Sequence, residues 1–282
     1  MNIKFTKMHG TGNDYVYVNG FEVSLENPSR ISEMISDRHF GIGSDGLIIV
    51  APSKAADCRM IMYNADGSEG AMCGNGIRCV AKYAYEHGIA EKEDMTIETK
   101  SGVKSLHVTV EKGKVTYVTV DMGKAILQPS QIPVKAEGDT FIARKVEVDG
   151  KEYEMTCVSM GNPHAVVFME EIDHLDLEKI GPAFENHPLF PDRTNTEFVK
   201  VIDEHKIKMR VWERGSGETI SCGTGTCASV VACVLNGYCR RDEEIEVQII
   251  GGKLYDTYKE DGTVIMKGPA VHVFDGEIEI QA

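Results

Sequence analysis

Two stretches of the sequence resemble each other and decide the fold: "EGAMCGNGIRCVA" at residues 69–81 and "ETISCGTGTCASV" at residues 218–230. In each, a glutamate precedes a cysteine by four residues, Gly-x-Gly follows the cysteine, and a second cysteine lies in an apolar run. The leading cysteines, Cys73 and Cys222, are 149 positions apart. This arrangement predicts that one structural unit occurs twice in the chain.

A shift of 149 positions aligns much more of the sequence with itself, and residues 12–104 need no gap. Most of the identities are glycines, which mark places where the backbone turns or approaches another segment closely. The strand-like "CRMIMYN" (58–64) then overlies "IKMRVWE" (207–213). We therefore expect two copies of one fold.

Each copy is typical of short β-strands separated by glycine, asparagine and proline. One long helical run stands out per copy, "GIRCVAKYAYEHG" (76–88) and "GTCASVVACVLNG" (225–237). The second run is apolar nearly all round, as expected for a helix that a sheet surrounds. We predict an α+β protein of two pseudo-symmetric domains, each a curved, mainly antiparallel sheet (a β-roll or barrel) wrapped around a central helix. Residues 129–139, with two prolines and no periodicity, are expected to form the linker region.

The composition limits the partners of this protein. Its formal net charge is −14, from 44 acidic and 30 basic residues, which argues against nucleic acid or an anionic membrane as a partner. The N-terminal residues have no apolar signal region, and no apolar run approaches the ~18 residues of a membrane span. We therefore expect a cytoplasmic protein whose eight cysteines are reduced thiols.

The repeated cysteines are expected at the starts of the two helices. Unpaired N–H groups and the positive end of the helix dipole favour a thiolate there. The N–H groups of Gly74-Asn75 and Gly223-Thr224 can hold a carboxylate. If both helix starts face one cleft, Cys73 and Cys222 flank one small anion. One thiolate then removes an α-proton and the opposite thiol delivers a proton to the other face.

Other interpretations of these cysteines stay open. A disulfide between Cys73 and Cys222 is compatible with the sequence, although it would consume both helix-start thiols. A zinc site could combine a cysteine with a histidine, but no pair of ligands has the spacing of a zinc finger. The histidines considered for it are His9, His39, His164 and His187. Cys79, Cys227 and Cys233 lie in apolar helical runs and are expected to be buried hydrophobic residues.

Several strings resemble the diaminopimelate epimerase family across essentially the whole chain. They include "KMHGTGNDYV", "YNADGSEGAMCGNGIRC", "SMGNPHAVV", "WERGSGETISCGTGTCAS" and "VFDGE". The resemblance implies interconversion of LL- and meso-2,6-diaminoheptanedioate, in lysine and cell-wall precursor synthesis, without pyridoxal phosphate or metal. It also implies a cytoplasmic homodimer whose final strands return to the first domain. The expected domains are residues 1–122 with 269–282, and residues 123–268.

The same resemblance implies roles for individual residues. Cys73 and Cys222 would be the two catalytic bases, and His164 and Glu213 would tune the pKa values of the cysteines. The reacting carboxylate would be held by Gly74, Asn75, Gly223 and Thr224. The rest of the substrate would be bound by Asn13, Asn64, Asn162, Asn195, Glu213 and Arg214.

Two positions depart from the family pattern. Many members have a substrate-contacting glutamine where this chain has Gly46. Where "VYDG" supplies a tyrosine to the dimer interface, this chain has Phe274, so that packing is retained and the hydroxyl is lost.

Side-chain chemistry separates the possible functions. A substrate with an ammonium and a carboxylate at each end needs partners of both signs, and Arg214 offers a fork for a distal carboxylate. Glu213 offers an acceptor for an ammonium. An epimerase for proline, hydroxyproline or another amino acid would use the same cysteines without a two-ended site. The third alternative is non-enzymatic: a two-domain binding protein for a small zwitterion, or a thiol redox sensor. When both cysteines are replaced by serine, binding should survive in a binding protein, whereas solvent deuterium exchange should vanish in an epimerase.

Overall fold

The computed structural model describes residues 2–280. In chain order the elements are β1 (Asn2–Gly10), β2 (Asn13–Asn19), α1 (Pro28–Ser36), β3 (Gly46–Ala51), β4 (Cys58–Asn64), β5 (Glu69–Gly70), α2 (Gly74–Glu86), β6 (Asp94–Thr99), β7 (Gly102–Glu111), β8 (Lys114–Lys124), β9 (Arg144–Val148), β10 (Lys151–Ser159), β11 (Pro163–Phe168), α3 (Leu177–Glu185), β12 (Asn195–Asp203), β13 (Lys206–Glu213), β14 (Gly217–Thr219), α4 (Gly223–Leu235), β15 (Ile245–Ile249), β16 (Gly252–Tyr258), β17 (Thr263–Pro269) and β18 (Val271–Glu279).

The chain divides into two compact units. Unit 1 is drawn from Met1–Val120 and Lys267–Ala282, and unit 2 from Asp121–Met266. Residues 129–139, predicted to be a linker, belong to unit 2 instead. Ile132 and Val134 are buried in the hydrophobic core of that unit, so the segment is packed rather than extended into solvent. The chain passes between the units within the strands β8 and β17.

The sheet of unit 1 is mainly antiparallel. Its strands lie in the order β18–β1–β2–β3–β4–β6–β7–β8. Only the pairs β2–β3 and β4–β6 within this order are parallel. β18 pairs with β1, so the last strand of the chain lies beside the first.

The sheet of unit 2 repeats this pattern. Its strands lie in the order β9–β10–β11–β12–β13–β15–β16, with β11–β12 and β13–β15 as the parallel pairs. These parallel pairs occupy the same places in the repeat as those of unit 1. The predicted sheet-dominated α+β class is confirmed.

The two central helices carry the same bounds once the 149-residue shift is applied, Gly74–Glu86 for α2 and Gly223–Leu235 for α4. Helix α2 contacts β1, β2, β3, β4, β6 and β7, whereas α4 contacts β10, β11, β12, β13, β15 and β16. Each helix therefore lies against most of the strands of its own unit. Gly88 and Gly237 follow the helices with φ values of +69° and +79°, the left-handed conformation predicted for a helix-ending glycine.

The two short helices, α1 and α3, were not predicted from the sequence, and they are also related by the 149-residue shift. Ile31 and Ile35 of α1 pack in one hydrophobic cluster, and Leu177 and Phe184 of α3 pack in another. With nine residues each, these helices are too short for a clear hydrophobic period. The available signal was Asn27 before Pro28, the pattern of a helix start.

Candidate active site

Cys73 is the N-cap residue of α2, with an extended backbone (φ −129°, ψ 121°). Its Sγ atom accepts a hydrogen bond from the N–H of Gly76 at 3.3 Å and donates one to Oδ1 of Asn13 at 3.2 Å. The sulfur thus lies in the first turn of the helix, where the sequence predicted it. An N-cap side chain that accepts from the first turn is a standard helix start, and here a sulfur does so in place of an oxygen.

Asn13 is oriented by an acidic neighbour. Its Nδ2 group donates to Oδ2 of Asp45 at 2.6 Å, which leaves Oδ1 to face the sulfur of Cys73. Asp45 in turn accepts from Arg38 at 3.0 Å. Asp45 was not among the predicted site residues, and its place in "GIGSDG" carried no motif that distinguished it from a turn residue.

The side chain of Asn75 is buried in unit 1. Only 2% of its surface is exposed, and its Oδ1 atom accepts from Nη2 of the buried Arg78 at 2.9 Å. The side chain therefore faces the interior of unit 1. Gly74 and Asn75 can therefore bind a carboxylate through their main-chain N–H groups at the start of α2.

Asn64 ends β4 and lies opposite Gly46 in the β3–β4 ladder. Its Nδ2 group donates to Oγ of Ser68 at 3.0 Å. A Cβ atom at position 46 would lie 2.1 Å from the carbonyl oxygen of Tyr63. The backbone therefore excludes a side chain at Gly46, and the family's glutamine contact is absent from this chain.

Cys222 is the N-cap residue of α4 (φ −122°, ψ 105°) and the counterpart of Cys73 in unit 2. Its Sγ atom lies 3.6 Å from Oγ1 of Thr224, and, unlike Cys73, its side chain makes no capping hydrogen bond to the first turn of its helix. Cys222 is buried, whereas Cys73 is partly exposed. Both repeated cysteines therefore occupy helix starts.

Asn162 and His164 lie beside the start of α4. Asn162 Nδ2 donates to Oγ1 of Thr224 at 3.3 Å, and its Oδ1 lies 3.1 Å from Nε2 of His164. The other ring nitrogen, Nδ1, lies 2.7 Å from Oε1 of Glu197. Glu197 was missed by the sequence reasoning because a single acidic residue in a β-rich run gives no signal of burial.

Glu213 and Arg214 follow β13 with different partners. Thr219 donates its hydroxyl to Oε1 of Glu213. The main-chain N–H of Arg214 donates to Oδ1 of Asn195 at 2.9 Å, and the guanidinium donates to the carbonyl of Asp192 at 3.0 Å. Asn195 is thus linked to Arg214 through the main chain of the turn that follows β13.

Glu185 braces the turn that carries Arg214. It accepts from the N–H of Gly215 at 2.9 Å, from Nε1 of Trp212 at 2.7 Å and from Arg193 at 2.9 Å. Its side chain is nearly buried. A buried carboxylate with three donors holds this turn in place, and the sequence reasoning did not find it.

Burial and the helix starts act in opposite directions on the pKa values of the two cysteines. Burial raises the pKa of the Cys73 thiol, and the N–H groups at the start of α2 oppose this only in part. Burial raises the pKa of Cys222 well above its ordinary range, and the carboxylates of Glu213 and Glu197 raise it further. The N–H groups at the start of α2 favour the thiolate of Cys73, as the sequence predicts, but desolvation of the charged form outweighs them.

Phe274 lies on β18, with 45% of its surface exposed. Its ring meets that of Phe5 edge to face, with 5.8 Å between the ring centroids. Val271 and Val273 on the same strand are also exposed. The strand thus presents apolar side chains at the position of the family's interface tyrosine.

The expected site residues fall into two groups, one in each unit. Unit 1 holds Asn13, Asn64, Cys73, Gly74, Asn75 and Phe274; unit 2 holds Asn162, His164, Asn195, Glu213, Arg214, Cys222, Gly223 and Thr224. Within residues 2–280, no group of three or more His, Cys, Asp or Glu side chains is arranged to hold a metal ion. In that same range no helix is both long enough and apolar enough to cross a membrane.

Solved structures with low sequence identity share this fold. A probable proline racemase from Agrobacterium radiobacter matches with a TM-score of 0.71 at 14% identity, over 99% of this chain and 93% of that one. A hydroxyproline epimerase from Agrobacterium vitis matches with a TM-score of 0.68 at 15% identity, over 98% of this chain and 91% of that one. A PhzF-family phenazine biosynthesis protein from Bacillus anthracis matches with a TM-score of 0.68 at 18% identity, over 99% and 100%. The fold is therefore the one that these racemases, epimerases and PhzF proteins share.

Sequence comparison then narrows this class to one family. The pattern of the diaminopimelate epimerase family matches residues 5–128 and 156–273. Relatives named diaminopimelate epimerase are 58% identical over 285 residues in Desulfovibrio desulfuricans and 54% identical over 279 residues in Acetivibrio thermocellus, each covering 99% of both chains. A relative of that name in Methanococcus maripaludis is 52% identical over 279 residues, covering 99% of this chain and all of that one. The chain belongs to the diaminopimelate epimerase family and is an isomerase of the racemase and epimerase class, which confirms the resemblance that the motifs indicated.

Proposed function

We propose that this protein interconverts LL- and meso-2,6-diaminoheptanedioate by proton transfer between two cysteines. The observation that carries the proposal is the duplicated helix start. Cys73 and Cys222 are N-cap residues of two helices with the same bounds under a 149-residue shift. Forward and reverse epimerisation need the same groups in mirror image, so a duplicated half-site suits this reaction.

In the proposed mechanism the two thiols lie on opposite faces of one α-carbon. The thiolate of one cysteine takes the α-hydrogen as a proton, and the electron pair of the broken C–H bond remains on the substrate, shared with its carboxylate. The other cysteine then gives its thiol proton to the opposite face of the carbon. The configuration is inverted, the two sulfurs have exchanged protonation states, and no pyridoxal phosphate or metal takes part.

The reacting carboxylate gains negative charge as the C–H bond breaks, and main-chain N–H groups are suited to stabilise it. We assign this role to Gly74 and Asn75 at the start of α2 and to Gly223 and Thr224 at the start of α4. One preorganised donor of this kind is typically worth about 2.7–4 kcal/mol of barrier height. Because these donors are main-chain groups, the buried side chain of Asn75 is compatible with this role.

The remaining predicted residues are assigned to substrate binding and to the cysteine pKa values. Arg214 would bind the distal carboxylate, Glu213 an ammonium, and the four asparagines, Asn13, Asn64, Asn162 and Asn195, the remaining polar groups. The pKa of Cys222 depends on Glu213 directly, which supports a tuning role for that carboxylate. His164 contacts Glu197, a second carboxylate that raises the pKa of Cys222.

Deuterium exchange tests this proposal. The wild-type protein incubated with LL-diaminopimelate in D2O should lose the α-proton NMR signal and form the meso isomer, while proline should exchange far more slowly. Cys73→Ser and Cys222→Ser should each abolish epimerisation. Cys239→Ser is the matched control, because this buried thiol follows α4 at its other end. Full epimerisation by either helix-start variant would refute the mechanism.

We further propose that the protein is a cytoplasmic homodimer joined through β18, where Val271, Val273 and Phe274 are exposed. Phe274→Asp should shift the sedimentation coefficient to that of a monomer. Ile202→Asp, at a comparably exposed position in unit 2, should not. A wild-type protein that sediments as a monomer would exclude this assembly.

A further inference from the structure

Arg78 lies on the second turn of α2, and its side chain is fully buried. Its Nη1 group donates to the carbonyl of Gly74 at 3.1 Å, and its Nη2 group donates to Oδ1 of Asn75 at 2.9 Å. Its Nε group donates to the carbonyl of Pro269, the last residue of β17, at 3.2 Å. The guanidinium therefore binds the first turn of the helix and fastens it to the end of that strand.

The hydrogen bond to Gly74 also acts on the N–H group of Asn75, because the Gly74 carbonyl and this N–H belong to one planar peptide unit. In a trans peptide the C=O and N–H groups point in opposite directions. A donor that holds the Gly74 carbonyl from the second turn therefore keeps the Asn75 N–H directed outward from the helix start. It also polarises the peptide, so that the N–H becomes a stronger donor. Both effects favour an anion at the start of α2.

The space for the guanidinium depends on Gly10. A Cβ atom at position 10 would lie 2.8 Å from Nη2 of Arg78 and 2.8 Å from the carbonyl oxygen of Asn75. Under the 149-residue shift, Gly10 corresponds to Ser159 of unit 2. Arg78 corresponds to Cys227, and both of these unit 2 residues are buried. Unit 1 thus combines a glycine with a large cation, whereas unit 2 combines two small neutral side chains.

We propose that Arg78 is a positioning residue that makes the start of α2 selective for a carboxylate, by holding the Gly74–Asn75 peptide and by placing a permanent positive charge behind it. The inference rests on the proposed function, in which the N–H groups of Gly74 and Asn75 hold the reacting carboxylate. Arg78 acts through this main chain and is not assigned a contact with substrate.

The charge of Arg78 is retained in this position, since a guanidinium keeps its proton inside proteins. The acceptors named above are neutral oxygen atoms, so they bind the guanidinium without cancelling its charge. Burial raises the pKa of the Cys73 thiol, and both the N–H groups of α2 and the charge of Arg78 oppose this rise. At Cys222, burial and the carboxylates of Glu213 and Glu197 all raise the pKa. The two helix starts therefore differ in their electrostatic surroundings.

The test compares two alkylating reagents of similar size at Cys73. Iodoacetate carries a carboxylate and iodoacetamide does not, but both react with the thiolate, so the ratio of their rate constants does not depend on the ionised fraction of the thiol. In a Cys222→Ser background, with the modified residue located by peptide mass spectrometry, Arg78→Gln should lower this ratio about tenfold, the order expected for a unit charge near a partly buried site. Arg78→Lys retains the charge but not the fork, so its ratio should fall by less than about threefold.

Lys82→Met is the matched control, because it removes another buried cation one turn further along α2. Lys82 is paired with Glu86 at 2.8 Å and lies farther from the helix start. Its ratio should equal that of the background protein. A ratio that is unchanged in Arg78→Gln, or that falls equally in Arg78→Gln and Arg78→Lys, would overturn the inference. An equal fall in Lys82→Met would do so as well.

The repeat supplies a comparison that needs no change at position 78, so it decides the matter even where Arg78→Gln does not fold. The ratio at Cys222 in a Cys73→Ser background should be lower than the ratio at Cys73, because Cys227 replaces Arg78 in unit 2. An equal or higher ratio at Cys222 would contradict the inference. Alkylation does not depend on turnover, so retained epimerisation by Cys73→Ser would refute the proposed function while leaving these ratios interpretable.

Discussion

Nδ1 of His164 lies 2.7 Å from Oε1 of Glu197, and neither side chain has any exposed surface. Burial raises the pKa of the Glu197 carboxyl, whereas His164 lowers it. The same oxygen of Glu197 would lie 2.8 Å from a Cβ atom at Gly225, so the carboxylate sits against the first turn of α4. The pair is therefore placed to act on Cys222, the residue that caps this turn.

Glu197→Gln should lower the pKa of Cys222. The amide still accepts from His164, but it removes a negative charge that disfavours the thiolate. The measurement is the alkylation profile of Cys222 in a Cys73→Ser background. A midpoint at or above that of the parent protein would contradict this role. Glu197→Ala instead removes one partner of a buried pair, and its free energy of unfolding should fall by about 3–5 kcal/mol.

The pH dependence of kcat/KM should be bell-shaped, because catalysis needs one thiolate and one thiol. Activity rises with pH as the first sulfur ionises and falls as the second loses its proton. Burial raises the pKa values of both thiols, so we expect the rising limb above the ordinary cysteine value of about 8.5. The carboxylates of Glu213 and Glu197 further disfavour the thiolate of Cys222, so Cys73 should ionise first. A profile that stays flat from pH 6 to 10 would rule out this chemistry.

Arg214→Ala should reduce kcat/KM for diaminopimelate by an amount equivalent to about 2–5 kcal/mol, because the distal carboxylate loses its charged partner. Arg214→Lys retains the charge but not the fork, so it should also be impaired. Both variants should melt close to the wild-type temperature. Within residues 2–280, the guanidinium donates a hydrogen bond only to the carbonyl of Asp192, which lies in a loop.

The control for Arg214 is Arg240→Ala, a change at an exposed arginine of the same unit, paired with Glu204 and Glu243 on the surface. It should retain wild-type kcat/KM. Wild-type activity in Arg214→Ala would mean that the distal carboxylate is bound elsewhere.

The duplicated motif was enough to predict the central helices, because N-cap cysteine, Gly-x-Gly and the apolar run are local signals. Asp149-Gly150 and Lys112-Gly113 are likewise local signals, typical of hairpin turns, and all four residues have positive φ values. The short helices α1 and α3 were not predicted, since tertiary packing of a few apolar residues stabilises them rather than a long period.

The sequence predicted those residues of the candidate site that belong to a motif. It did not predict the residues whose role depends on burial. Glu185 and Glu197 act through contacts with residues distant in the sequence, which no local pattern encodes. The direction of the cysteine pKa shifts could not be predicted from the sequence either, because it depends on how far the folded chain excludes water from the thiols.

Gly46→Gln tests whether this chain can accept the family's glutamine. The new Cβ would meet the carbonyl of Tyr63, so the free energy of unfolding should fall by about 1–3 kcal/mol. Gly102→Gln is the control, since that glycine also has positive φ but nothing lies within 4 Å of its Cβ position. If the free energy of unfolding falls equally in the two variants, the cause is the positive-φ backbone conformation and not the collision with Tyr63.

The most direct test of the two-thiol mechanism is the fate of the α-hydrogen during the first turnovers in D2O. LL-diaminopimelate is incubated with the enzyme to a few per cent conversion, and the recovered LL substrate and meso product are analysed by mass spectrometry. If two different sulfurs remove and deliver the proton, the meso product should carry one solvent deuteron at the inverted carbon while the recovered substrate stays largely unlabelled. A meso product that retains the original hydrogen would show that a single group both removes and returns it, and would contradict the account.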